Sequence, residues 1–121
     1  MAVGFSVAAA NTHLDNQATN YPWIKLHVGD PGASGTANAA TETTRKQATW
    51  SAASAAAKTT SADLVWTGVA GTEDYTHVSM WTASTGGSFG GSGTVTANAV
   101  TTADSFTLPA GELDMTLPVA S

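Results

Sequence analysis

Residues 23–28 of this chain, WIKLHV, decide its fold class because apolar and polar side chains alternate along them. Ile24, Leu26 and Val28 fall on one face of a strand, which predicts that all three point into a core. The tryptophan, lysine and histidine between them occupy the opposite face. Residues 29–32, GDPG, are typical of a tight turn and end the strand.

Further strands are predicted by apolar alternation and by the turn residues between them, at 45–51, 64–67, 75–82, 93–100, 105–108 and 114–119. The segment 75–82 carries apolar bulk on both faces, which predicts a central strand with the N-terminal helix or a neighbouring subunit as one cover. Residues 33–44 are predicted as a surface loop, and 52–62 as a loop or sheet edge. Short strands at this spacing favour a single-domain, mainly β fold, an antiparallel β-sandwich that is jelly-roll-like.

The N-terminal part of the chain predicts one short helix. Ser6 is a favourable N-cap, and good helix formers extend from it to Ala18. The apolar face of this helix is small, so we expect it to lie on a sheet or on a neighbouring subunit. The predicted division is an N-terminal arm with a short helix, residues 1–20, and a β-sandwich domain, residues 21–121.

Composition limits the classes of function. The chain has no cysteine, which excludes disulfides and thiolate metal sites. Its net charge is −5, with four basic against nine acidic residues, so no nucleic-acid partner is expected. Only 11% of the residues are charged, which favours a surface that lies against neighbours. Residues 1–11 lack the features of an export signal, and no stretch approaches a membrane span, so we expect cytoplasmic synthesis and no membrane partner.

One segment matches a catalytic pattern. Residues 86–90, GGSFG, fit G-x-S-x-G, the nucleophile elbow of serine hydrolases, with Ser88 as the nucleophile. That elbow requires a helix after it and a histidine later in the chain. No helix-forming stretch follows, and His77 lies before it, so the segment predicts a hairpin turn and no catalytic residue is assigned.

The other polar candidates favour structural roles. The three histidines are too far apart in sequence for a local metal site. Asp30 is predicted to accept backbone hydrogen bonds within its Asp-Pro-Gly turn rather than to bind calcium. Glu73 and Asp74 favour a solvated loop over a glycosidase pair, because adjacent strand residues point to opposite faces. No metal or cofactor is expected. Four tryptophans leave a carbohydrate-binding alternative, since flat rings stack on sugars.

Three motifs in order resemble a family of small structural proteins from tailed-bacteriophage virions. They are W-x-x-L-H-x-x-D-P-G at residues 23–32, a basic-residue strand ending in T-W at 45–50, and T-H-V-x-x-W at 76–81. A T-G-G turn follows at 85–87, and the resemblance covers nearly the whole chain. Such proteins are often labelled tail fibre or minor tail proteins. The resemblance implies a non-enzymatic virion component and brings no catalytic residues with it.

Two places on the particle stay open. A fibre needs length from repeats or heptads, and 121 residues without either favour a capsid decoration (cement) protein over a tail fibre or minor tail module. The expected partners are major capsid or tail proteins and copies of the chain itself, with a host-surface glycan as the alternative. Phe5, Val7 and Leu14 are candidate interface residues because their segment is too small to form its own core, and Trp23 is a fourth candidate.

Overall fold

A computed structural model describes residues 3–120. The helix is α1 (Val7–Asn20), and the strands are β1 (Trp23–His27), β2 (Lys46–Gln47), β3 (Ala57–Thr59), β4 (Leu64–Trp66), β5 (Glu73–Trp81), β6 (Phe89–Val100), β7 (Phe106–Leu108) and β8 (Asp114–Thr116). Each pairing between these strands is antiparallel. The predicted mainly β, antiparallel, single-domain fold with a short N-terminal helix is confirmed. Its division into an arm of residues 1–20 and a β-domain of residues 21–121 stays a prediction.

The largest sheet has four strands in the order β2-β1-β5-β6. β1 pairs with β5 along its whole length, with Ile24 opposite Met80 and Leu26 opposite Val78. β5 therefore lies between two strands, as the apolar bulk on both its faces predicts. The predicted strand at 45–51 is shortened to the two residues of β2. Further along the same segment, Trp50 forms a separate antiparallel bridge with Thr60.

The core face of this sheet is the predicted one, with a single exception. The predicted core residues of β1 and β5 are at most 8% exposed, namely Ile24, Leu26, Val78 and Met80. Val28 is 41% exposed, so its predicted place in the core is wrong. The reason is that β1 ends one residue earlier. The chain bends there, and the Val28 N–H donates to the Asn38 carbonyl at 2.9 Å.

The loop between β1 and β2 covers the second face of the sheet. Gly35, with φ of 77°, lies against Phe89, and a β-carbon added to this glycine would be 2.6 Å from Cγ of that ring. The Ala37 carbonyl lies 2.9 Å from Nδ1 of His27, and Pro31 is fully buried. The cover on this face is therefore a loop of the same chain, while α1 approaches the opposite face of β5, where Gln17 Nε2 lies 3.9 Å from Met80 Sδ. A neighbouring subunit as a cover stays a prediction.

Two short ladders, β3 with β8 and β4 with β7, accompany the main sheet. Phe106 lies between Trp66 and Tyr75, at ring-centroid distances of 6.0 and 4.8 Å. The Trp66 indole N–H donates to the Thr44 carbonyl at 2.8 Å. Burial, followed by two nearby carboxylates, raises the pKa of the Tyr75 phenol to about 12. These rings belong to the same buried cluster as the core of β1, so one core joins the three sheets.

The helix α1 forms where the sequence predicts it. Ser6 is the N-cap, and its Oγ accepts the Ala9 N–H at 3.1 Å. The buried side chains of the helix are spaced one turn apart, at Ala10, Leu14 and Ala18. This narrow stripe packs near β3, so α1 covers part of its own chain.

Candidate interaction surface

An exposed apolar patch lies where the N-terminal segment meets the C-terminal segment. We call it the terminal patch and define it as Val3, Phe5, Val7 and Val119. Phe5 and Val119 form an isolated parallel bridge. In this bridge the Phe5 N–H donates to the Pro118 carbonyl at 2.9 Å, and the Phe5 carbonyl accepts the Ala120 N–H at 2.8 Å. The four side chains are between 38% and 82% exposed, so the patch presents apolar surface on a fixed backbone.

Two of the four candidate interface residues belong to this patch, namely Phe5 and Val7. Leu14 is 3% exposed because it faces the chain's own sheet from α1. Trp23 is partly buried in β1, where it pairs with Trp81 across the strands. Phe5 and Val7 are thus both exposed, whereas Leu14 is buried. The interface role of these residues stays a prediction.

The sequence analysis missed Val3 and Val119 as surface apolar residues. Val119 falls at the end of a predicted strand, and alternation within a short strand does not reveal which face is open. Its contact with Phe5 joins residues at opposite ends of the chain, and no local pattern signals it. The available signal at Val3 was an apolar residue two positions before Phe5.

Polar contacts fix α1, and with it the patch, to the body of the domain. Asn11 Oδ1 accepts the Ala56 N–H at 2.9 Å. Asp15 Oδ1 accepts the Ala53 N–H at 3.0 Å and the Lys58 ammonium at 2.7 Å. The hydrogen bond from Lys58, and then that from Ala53, hold the pKa of the Asp15 carboxyl below its usual range. Lys58 is 7% exposed, so this ion pair joins a solvent-facing acid to a buried base.

A buried hydrogen-bond chain joins His27, Ser79 and Trp81 on the second face of the sheet. The Ala37 carbonyl can only accept, so His27 Nδ1 carries the proton in the 2.9 Å contact between them. His27 Nε2 then accepts from the Ser79 hydroxyl at 2.7 Å, and Ser79 Oγ accepts the Trp81 indole N–H at 2.7 Å. Burial lowers the pKa of His27, and the charge of Lys25 adds to this. His27 and Ser79 are both 0% exposed, so the pair is structural, as predicted for the histidine.

Ser88 lies in the turn between β5 and β6. Its N–H donates to Thr82 Oγ1 at 2.9 Å, and its carbonyl accepts the Thr82 N–H at 3.1 Å. β6 begins at the next residue, so a strand follows Ser88 where an elbow requires a helix. Arg45 fixes the same turn by donating to the Gly86 carbonyl at 2.8 Å while its guanidinium lies 4.4 Å from the ring centroid of Trp81. The hairpin-turn prediction is confirmed.

Many of the acidic side chains accept backbone hydrogen bonds. Asp30 Oδ1 accepts the Gly32 N–H at 2.9 Å, as the turn prediction requires. Glu73 and Asp74 lie in β5, so their predicted place in a loop is wrong. The cause is pairing with a distant segment, because Glu73 lies opposite Val100 and Asp74 opposite Ala99 in the ladder with β6. Both Glu73 carboxylate oxygens also accept the Thr41 N–H, at 2.9 and 2.8 Å. Within residues 3–120, no group of three or more His, Cys, Asp or Glu side chains converges on a point.

Comparison with known proteins identifies the family. A family model described as Podophage GP4 fiber I protein gp80 matches residues 4–116, a span that includes every strand of the described chain. No curated protein matches the chain significantly. No helix of the described residues is long and apolar enough to cross a membrane. The resemblance to small structural proteins of tailed-phage virions is thus confirmed. The chain belongs to this family of phage fibre proteins and is a component of the bacteriophage virion.

Proposed function

We propose that the chain is a non-enzymatic structural module of a tail fibre or minor tail assembly. The family match carries this proposal, because its description names a fibre protein. The absence of repeats and heptads favoured capsid decoration at the level of sequence, but the family description gives that alternative no specific support. A compact module still serves a fibre when copies or other chains supply the length.

The terminal patch is the surface through which we propose that this module binds tail proteins or copies of itself. Contiguous exposed apolar side chains mark interaction sites on proteins that otherwise hide such surface. The backbone of Phe5 is already hydrogen-bonded on both sides, and α1 is tied to the body of the domain through Asp15. A partner would therefore meet a pre-organised surface and would spend little free energy on ordering it.

Immunogold electron microscopy of intact virions tests the location. Antibodies against the folded chain should place gold particles along the tail or its fibres. Gold distributed over the capsid surface, with an unlabelled tail, would show the fibre assignment to be wrong and the decoration alternative to be right. An antibody against the major capsid protein serves as the positional control on the same grids.

Paired aspartate substitutions test the attachment surface. Val3→Asp with Val7→Asp should lower incorporation into particles at least about tenfold, because burying one unpaired charge costs more than 1.4 kcal/mol. Asp at position 7 lies in the first turn of α1, where a negative charge favours the helix, so folding should persist. The matched control is Val28→Asp with Val65→Asp, two valines that are 41% and 40% exposed outside the patch. Equal incorporation of both double variants would remove the patch from the proposal.

Salt provides an independent check on the same contact. Attachment through apolar burial should survive washing of particles in 1 M NaCl, since a Debye length of about 3 Å screens charges without weakening apolar contacts. Release of the protein in that wash would indicate an electrostatic contact instead.

A further inference from the structure

A groove runs between β6 and β8 and is formed by two adjoining cavities of about 100 and 460 Å³. Both cavities are walled by Met80, Ser92, Asp114 and Met115. Core side chains of β1 and β5 line the inner cavity, and α1 borders the outer one. The groove therefore reaches from the surface to the hydrophobic core.

The groove exists because β6 carries glycine at two positions that face it. Gly91 pairs with Met80 and Gly93 with Val78, so both glycines lie on the core face of the sheet. A β-carbon added to Gly93 would meet no atom of residues 3–120 within 4 Å, and one added to Gly91 would approach Gln17 Nε2 at 3.4 Å. Glycine inside a strand costs roughly 0.5–1 kcal/mol relative to alanine. Such a position often marks the close approach of a ligand or another backbone.

Both walls of the groove are strands with one open side. Among the described residues, β6 pairs with β5 alone, and β8 pairs with β3 alone. Side chains satisfy two backbone groups of β6 near the ends of its open stretch: Gln17 Nε2 donates to the Gly90 carbonyl, and Glu112 Oε1 accepts the Thr96 N–H, both at 2.9 Å. The stretch between them, residues 91–95, spans about 13 Å, the length of a four- to five-residue strand. β6 also lacks the lysine or proline that usually protects a strand edge.

We propose that this groove binds an extended, uncharged or basic peptide segment of a neighbouring protein, which adds to β6 as a further strand. Main-chain hydrogen bonds to residues 91–95 would supply affinity, and the inner cavity would accept one apolar side chain of the segment. Trp50 also lines that cavity, and its buried indole N–H has no hydrogen-bond partner among the described residues. Glu112 and Asp114 also line the groove, and none of the described residues that line it is a lysine or an arginine, so an acidic segment is disfavoured.

This site uses none of the terminal-patch residues, so it goes beyond the proposed function and does not depend on it. The probe is a pair of capped heptapeptides, Ac-TVTVKVT-NH2 and Ac-TVTVEVT-NH2, titrated into the isolated chain to about 5 mM, a range that covers millimolar affinities. The readout is the amide nuclear magnetic resonance shifts of Gly91, Gly93 and β8. We expect the lysine peptide to shift these amides and the glutamate peptide to bind at least about tenfold more weakly. A lysine peptide N-methylated at alternate residues, which lacks the edge-facing N–H groups, should not bind.

Two variants keep the test specific. Gly93→Val places a side chain in open groove space and should abolish peptide binding, while its urea midpoint should stay equal or rise because valine favours strands. Asp114 is exposed, and Asp114→Asn should reduce the difference in affinity between the lysine and glutamate peptides. Asp74 is also exposed but lies outside the groove, so Asp74→Asn should leave that difference unchanged.

The proposal is overturned by unshifted glycine amides at the highest lysine-peptide concentration, by equal binding of the N-methylated peptide, or by normal binding to folded Gly93→Val. Glucose, galactose or N-acetylglucosamine shifting the same amides while the peptides do not would make the groove a saccharide site and also overturn it. Since the readout uses the isolated chain, its outcome is independent of where the protein lies on the virion.

Discussion

The contact between Gly35 and Phe89 makes a quantitative prediction about the loop that covers the second face of the main sheet. Gly35→Ala places a left-handed backbone, φ of 77°, on a non-glycine residue, and its β-carbon would overlap the Phe89 ring. Gly32→Ala is the matched control, because φ is 76° and the nearest atom to the new β-carbon is 3.7 Å away. Both substitutions therefore share the backbone cost, and Gly35→Ala adds a steric cost.

The magnitudes follow from these two terms. The left-handed conformation costs about 1–2 kcal/mol for a non-glycine residue, and the stiffer unfolded chain returns about 0.4–1 kcal/mol. Gly32→Ala should therefore lower the free energy of unfolding by about 1 kcal/mol. Displacing the Phe89 ring from a packed site adds about 1–3 kcal/mol, so Gly35→Ala should cost about 2–4 kcal/mol.

Urea unfolding followed by tryptophan fluorescence measures both costs, provided that the m-values match. A double-mutant cycle sharpens the test: in a Phe89→Ala background, Gly35→Ala should cost no more than Gly32→Ala, because the obstructing ring is gone. If Gly35→Ala and Gly32→Ala are equally destabilising in the wild-type background, the loop does not pack on Phe89 as described and the account of the second face is wrong.

Three further predictions concern the core, the buried histidine and the turn. Leu26→Ala should lower the free energy of unfolding by about 2–5 kcal/mol, against less than about 0.5 kcal/mol for the exposed Val28→Ala, both measured by urea denaturation. Because burial lowers the pKa of His27 below its ordinary 6.5, the unfolded chain binds more protons just below that pH. Stability should therefore fall as pH drops below about 6.5, and His27→Gln should remove that contribution to the pH dependence while His13→Gln preserves it. Ser88→Ala should leave virion assembly and infectivity unchanged in plaque assays, and a lost hydrolytic activity in folded protein would contradict the turn assignment.

Local patterns were sufficient for the elements whose neighbours are close in sequence or whose faces alternate regularly. The period of two in β1 and β5 identified Ile24, Leu26, Val78 and Met80 as one core layer, and Ser6 identified the start of α1. Patterns failed where a distant contact decides the outcome. Residues 33–44 have no apolar period, yet Gly35 covers a sheet face because Phe89 lies there.

The surface was harder to predict than the core for a similar reason. Leu14 looked like an interface residue because its helix has only a small apolar face. In the structure, the buried residues of that face pack near β3 of the same chain. The groove was also missed, since the predicted strand begins only at residue 93 and leaves Gly91 outside it. Its strand conformation depends on pairing with Met80, and strand propensity alone argues against a glycine there.

The parallel bridge between Phe5 and Val119 has a practical consequence for labelling this protein. A tag fused before Val3 and a tag fused after Ala120 would leave the domain side by side, next to the same apolar surface. Either tag would sterically block this surface. If tags at both positions reduce incorporation into virions, the loss therefore reports on the shared surface. A circular permutant could link residue 120 to residue 3 through a short spacer and place the new ends at the exposed Gly86-Gly87 pair. A tag on those new ends would leave the apolar surface uncovered.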